Sequence, residues 1–225
     1  MLKLITQMLL AMVLVCTARA DLIVNTFGPG QSFQPPPGET IGGGILRNDP
    51  PPNRGVTQAF EFTPSSTESL SQIDLALQYI FVAGVATGPA NLDVSIASDN
   101  LGQPGTLLET IRLTNVLGSV PSQPGVVPAM SLSRPLLQAD THYWLVVAPP
   151  DMLNTAFDWL ISPLTTLSVP SASRLGSGPW TTGVTEQPLA FDVSGVTVPE
   201  AKSWLTVLTG LIAIGLLTTW RRDLS

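Results

Sequence analysis

Residues 21–197 carry fourteen carboxylates and a single imidazole as their reactive side chains. Glu61, Asp74, Asp93, Asp158 and Asp192 each stand inside an apolar run. Two such acids roughly 5–9 Å apart in a cleft would supply the acid and the nucleophile or base of a glycosidase. Their alternating context instead predicts the outer face of strands, where solvated acids are expected. His142 would have to serve any Ser-His-Asp triad, yet there is no Gly-x-Ser-x-Gly elbow. It falls at the start of a predicted strand and is read as an edge or surface residue. Asp99-Asn100 with a backbone carbonyl is a weak candidate for Ca²⁺ at a sheet edge, and the plainer reading is turn geometry. EF-hand and zincin spacings are absent, as are phosphate loops: Gly42-Gly43-Gly44-Ile45-Leu46-Arg47 fits neither glycine pattern. Trp159 and Trp180 are candidates for a sugar-stacking platform, although core packing explains Trp159 equally well. The expectation is a protein without catalysis, cofactor or metal site.

Composition narrows the classes further. The chain has 225 residues, enough for one sizeable domain. Charged residues are 12% against 44% hydrophobic, which excludes a charge-swollen disordered chain. A net charge of -6 excludes a nucleic-acid binder of the usual basic kind. One Cys and one His exclude a disulfide scaffold or a Cys/His metal cluster within the chain.

The elements that would position these side chains read as strands. Ile73, Leu75, Leu77 and Tyr79 alternate with Gln72, Asp74, Ala76 and Gln78. Leu92, Val94 and Ile96 alternate with Asp93, Ser95 and Ala97; Phe60 and Phe62 flank Glu61. Tyr143, Leu145 and Val147 oppose Trp144 and Val146. Phe157, Trp159 and Ile161 alternate with Asp158 and Leu160, and Leu189, Phe191 and Val193 with Asp192. Period two with one apolar face is the pattern of an antiparallel sheet buried on one side. Turn signals at Thr87-Gly88-Pro89, Gln103-Pro104-Gly105, Gln123-Pro124-Gly125, Ala148-Pro149-Pro150 and Gly178-Pro179 separate the runs. The prediction is an all-β fold, an antiparallel β-sandwich with jelly-roll connections over residues 21–197. Residues 28–56, with two Pro triplets and a Gly triplet, are expected to be a long, flexible surface loop.

The two ends are different in kind. Residues 1–20 have Lys3 in a short n-region, an apolar stretch from Leu4 to Cys16, and small residues Ala18 and Ala20 before a cut. That is the anatomy of a secretory signal peptide, leaving Asp21 as the mature start. Cys16 would leave with it. Trp204 to Trp220 is uncharged and Trp-flanked; as a helix its 17 residues span about 25 Å. Arg221 and Arg222 follow at once, and positive-inside logic places them in the cytoplasm, with residues 21–200 outside. Between the ends, five Arg and no Lys face nine Asp and five Glu, a net charge of -9 for residues 21–197. Contact with anionic polymers is disfavoured there unless divalent cations bridge it.

Val198-Pro199-Glu200-Ala201, a short apolar helix rich in Leu and Gly, and a terminal Arg cluster together resemble the PEP-CTERM protein-sorting signal over residues 198–225. The family motif is Val-Pro-Glu-Pro, so Ala201 departs from it. The resemblance implies recognition of Val198, Pro199 and Glu200 by an exosortase, a membrane transpeptidase, with Arg221 and Arg222 as the membrane stop. It implies delivery to the cell surface or exopolysaccharide matrix of a Gram-negative bacterium. Ala201 leaves processing and retention as a plain single-pass anchor both open. A second resemblance covers roughly residues 56–195. Ser95-Ile96-Ala97-Ser98-Asp99-Asn100 followed by Pro104-Gly105-Thr106-Leu107-Leu108, and Thr141-His142-Tyr143-Trp144-Leu145-Val146, are similar to strands of choice-of-anchor domains of the type-R group. That family implies a surface-attached β domain and no particular chemistry. The expected function is therefore an exported structural protein of the surface or matrix. A carbohydrate-binding module gripping exopolysaccharide is the alternative.

Overall fold

The computed structural model describes residues 20–42, 55–80, 90–118, 122–148, 150, 155–165, 167–185 and 187–197. Among them there are thirteen strands and no α-helix. No helix of the described residues is long and apolar enough to cross a membrane. Residues 1–19, most of the expected leader, and 198–225, with the apolar segment 204–220, lie outside the described residues.

The strands are β1 (Ala20–Asn25), β2 (Glu39–Gly42), β3 (Val56–Phe62), β4 (Glu68–Tyr79), β5 (Leu92–Asp99), β6 (Pro104–Leu113) and β7 (Gly125–Met130). They continue with β8 (Leu136–Leu137), β9 (Tyr143–Ala148), β10 (Ala156–Trp159), β11 (Val169–Leu175), β12 (Thr181–Thr185) and β13 (Phe191–Thr197). All pairings between them are antiparallel, in one hydrogen-bonded sheet that curls on itself. The long strand β4 is its hub. One edge pairs with β13 and then β10; the other pairs with β8 and β7. The path runs from β1 through β13, β4, β10, β2, β3 and β9 to β5 and β6, and the β11–β12 hairpin attaches to β3.

Curling gathers the apolar faces into one core. Phe60, Leu75, Leu77, Ile96, Leu145, Trp159 and Phe191 belong to a single buried cluster. The centroids of Phe60 and Trp159 are 5.4 Å apart, and those of Trp159 and Phe191 5.8 Å, both edge-on. Such geometry adds about 0.5–1.5 kcal/mol per pair beyond area burial. The indole N–H of Trp159 donates to the Ala190 carbonyl at 3.0 Å, so the polar end of this buried ring is satisfied.

Three expectations need correction. First, residues 28–42 of the expected flexible loop have a defined course. Gly28 and Ser32 close a small bridge, and residues 39–42 form β2 between β10 and β3. Second, the outer face of β4 is not solvated. Phe27 and Phe33 cover it, packing with Ala76, Leu160 and Ala190 in a second apolar layer. Third, Pro104-Gly105 is not the turn after β5. The turn is Asn100–Gln103, with Leu101 and Gly102 both at positive φ and the Asn100 amide donating to the Gln103 carbonyl at 2.8 Å. Two successive positive-φ residues make a hairpin turn whose twist matches the strands.

Candidate functional site

One face of β5 and β9, with neighbouring strands, carries unusually small side chains. In register across it stand Ala172, Ala59, Val146, Ser95 and Thr110, from β11, β3, β9, β5 and β6. Ala59 and Ala97 are fully buried, beneath Trp144 and Trp180. Short side chains keep this floor low, and longer ones from the flanking strands rise beside it. The result is a groove of about 330 Å³. Val146, Ala148 and Leu107 give it an apolar wall; Asp93, Ser95, Thr110 and Arg174 give it polar groups; Trp180 closes one side.

The polar groups differ in how far they are satisfied. Arg112 holds Asp93 with both Nε and Nη2, the latter at 2.7 Å. The Ser95 and Thr110 hydroxyls are bonded to each other at 2.9 Å. Arg174 has no such partner. Its guanidinium lies over the Trp180 ring, 4.5 Å from the centroid. Its Nε is buried and makes no hydrogen bond among the described residues. Thr57, the register partner of Arg174 on β3, is fully buried, and its hydroxyl also has no hydrogen-bond partner there. An unmet buried polar group costs roughly 1–3 kcal/mol; of these two residues Arg174 lines the groove and Thr57 lies beneath it.

The candidate aromatics part company here. Trp159 is fully buried in the core and presents no face to a sugar. Trp180 is half-buried beside the groove, and Arg174 occupies one of its faces. Trp180 thus acts first as the support of a guanidinium.

The acids were expected on the solvated outer faces of strands. The structure buries three of them: Asp74 is 8% exposed, Asp158 7% and Asp192 6%. Asp74 and Asp192 are direct partners across β4 and β13, under the segment 26–34. Gln31 of that segment donates to both, at 3.3 and 3.4 Å. Burial first, and the neighbouring Asp74 charge second, push the Asp192 carboxyl up to about 6, against the opposing hydrogen bonds from Gln31 and the Asp74 backbone. Burial also raises the Asp158 carboxyl, against hydrogen bonds from Thr40 and the Gly38 backbone. Glu61 and Asp93 pair instead with His142 and Arg112. His142 is exposed just before β9, with Thr63 3.2 Å from its Nδ1.

Asp99 has a structural task. Its carboxylate accepts the Gly102 amide at 3.1 Å and the indole N–H of Trp144 at 2.8 Å. Asn100 is exposed in the same turn. Among the described residues no three His, Cys, Asp or Glu side chains gather as a metal-ligating group.

Of the residues expected to direct export, Ala20 opens β1, paired with Val196. Ala18, Val198, Pro199, Glu200, Arg221 and Arg222 lie outside the described residues. Arg174, Thr57 and the Ser95–Thr110 pair carry no local sequence signature; only the register of five strands brings them to one face. No protein-family model matches the chain, and no curated protein matches its sequence.

Proposed function

We propose that the chain is an exported, non-catalytic structural protein of the cell surface or exopolysaccharide matrix. Residues 21–197 are its ectodomain, a β-sandwich with jelly-roll connections. The N-terminal leader is removed after Ala20, and the C-terminal segment is read by an exosortase or kept as a single-pass anchor. One observation supports this most directly. Ala20 pairs with Val196, Asp21 pairs with Gly195, and the Thr197 hydroxyl donates to Asp21 at 2.8 Å. Residues 20 and 197 therefore lie at adjacent strand ends, one on edge strand β1 and the other on its neighbour β13. An apolar leader and an apolar tail attached there can both reach the same membrane without distorting the domain. Cleavage after Ala20 costs the sheet a single terminal pair. The test is mass spectrometry of the protein from membrane and surface fractions. The expected product starts at Asp21 and is either trimmed near Val198-Pro199-Glu200 or intact to Ser225 in the membrane. A full-length protein found soluble in the cytoplasm would overturn the reading.

A second reading, carbohydrate binding, is favoured by the groove. Its apolar wall beside paired hydroxyls and an ion pair suits a polyhydroxylated ring, and its volume of about 330 Å³ is in the ordinary range of small-ligand sites. Glycan binding by the purified protein tests it directly.

A further inference from the structure

We propose that the groove binds an acidic sugar, a hexuronate residue of a polysaccharide, with Arg174 as the residue that receives its carboxylate. The proposal rests on the carbohydrate-binding reading and names the substrate class for it. Three observations carry it. The first is the state of Arg174. Stacking on Trp180 engages the flat face of the guanidinium and leaves its in-plane N–H groups to hydrogen-bond. The buried Nε has no acceptor among the described residues. A neutral hydroxyl would meet one N–H; a carboxylate meets two in parallel, with the charge matched as well.

The second is charge. Between residues 21 and 197 acids outnumber bases fourteen to five. Spare carboxylates are abundant, yet the ion pairs among the described residues join Arg112 to Asp93 and His142 to Glu61. Arg174 remains without a carboxylate at a pocket wall. The net charge of -9 opposes the approach of an anionic polymer at long range. The contact must therefore be made at short range, by a partly buried cation already oriented on an aromatic ring, which describes Arg174.

The third observation selects a sugar over an acidic peptide. Facing Arg174 across the groove are the Ser95 and Thr110 hydroxyls and the Asp93 carboxylate, a donor and acceptor set suited to ring hydroxyls. Val146, Ala148 and Leu107 offer an apolar wall of the kind that packs on the C–H face of a pyranose.

Isothermal titration of the purified full chain in detergent with oligogalacturonate tests the proposal. Saturable binding is expected, at least tenfold weaker in Arg174→Gln and intermediate in Arg174→Lys, which keeps the charge and loses the fork. Arg134→Gln, at an exposed arginine outside the groove, should bind as the unaltered protein does. Far-UV circular dichroism confirms that the variants fold, and Arg174→Lys keeps the test sharp if Arg174→Gln does not. Equal binding by Arg174→Gln overturns the assignment. Binding of poly-glutamate with the same Arg174 dependence overturns the sugar in favour of a peptide carboxylate. Tight binding of neutral cello-oligosaccharides without Arg174 dependence overturns the uronate and leaves the carbohydrate reading standing. No binding to either sugar overturns both.

Discussion

Asp74 and Asp192 face each other across the β4–β13 ladder, both more than nine-tenths buried, with the Gln31 amide spanning the two carboxylates. Two like charges so placed repel, and the covering segment keeps water from relieving them. One carboxyl therefore holds its proton into the mildly acidic range. Asp74 has an additional donor in Gln72 at 2.7 Å.

The pair makes stability depend on pH in an unusual direction. Asp192 titrates near 6 when folded and near 4 when unfolded. Between these values the native state binds the extra proton, so the contribution is full below about 4 and is lost as pH rises through 6. Asp192→Asn removes the second charge. The variant should gain roughly 1–2 kcal/mol over the unaltered protein at pH 7, and the gain should vanish near pH 4. Urea denaturation at both pH values measures it. A difference that does not change with pH would sink the account.

Gly38 is a second point of close approach. A Cβ at this position would lie 2.2 Å from the Trp159 carbonyl oxygen and 2.7 Å from its carbon. Both are backbone atoms, so no rotamer relieves the clash, and β2 would have to leave β10. Gly38→Ala is expected to cost roughly 3 kcal/mol or more. Gly183→Ala, where nothing lies within 4 Å, is the matched control and should be neutral or slightly stabilising. Thermal melts of the two variants check the contrast; similar losses would mean that the approach at Gly38 is not the cause.

The sequence made some of this architecture legible and hid the rest for physical reasons. Strands β3, β4, β5, β10 and β13 announce themselves because each sets large apolar side chains against polar ones at period two, and β9 because it is a continuous apolar run rich in aromatic and β-branched residues. Strands β11 and β12 give no such contrast. They read Val-Pro-Ser-Ala-Ser-Arg-Leu and Thr-Thr-Gly-Val-Thr, and backbone pairing to β3 and to each other holds them. Strand β6 is hidden by Thr106, Leu107 and Leu108, three successive exposed residues at the end of the sheet path. The polar face of β4 was read correctly as a face and wrongly as solvated. The cover over it comes from Phe27, Gln31 and Phe33, and Gln31 is 43 residues from Asp74 and 161 from Asp192. No local pattern encodes a lid that distant. The groove is hidden for the same reason, since Arg174 and Asp93 come to one groove only through four strands of register.

Asp99 joins the tip of the β5–β6 hairpin to Trp144 of β9. Asp99→Ala leaves the buried Trp144 indole N–H without its acceptor and the Gly102 turn without its brace. A loss of roughly 1–2 kcal/mol follows. Trp144→Phe, measured alone and with Asp99→Ala, should show a coupling of about 1 kcal/mol in a double-mutant cycle. Thermal melts in EDTA and in Ca²⁺ separate this role from cation binding. The loss should be the same in both; a Ca²⁺-dependent rise in melting temperature that Asp99→Ala abolishes would replace the structural role with a metal site.

Glu109 provides the opposite pH dependence within the same domain. It stands on β6 and accepts hydrogen bonds from the Ser131 hydroxyl and from the Leu132 and Ser133 amides, the last two at 2.8 Å. Burial alone would raise its carboxyl, but these donors outweigh that and hold it below the usual range. A depressed acid contributes stability above its unfolded value near 4 and loses it as pH falls through the lower folded value. Glu109→Gln keeps the shape and loses the charge-assisted bonds. Because the group is partly exposed, the cost at pH 7 should be about 1 kcal/mol, shrinking below pH 4. Asp192→Asn and Glu109→Gln should therefore shift stability in opposite senses at pH 7 and converge toward the unaltered protein in acid. Denaturation curves collected across that range for both variants check the pair together. A shared sign at pH 7 would mean that one of the two carboxylates is not held as described.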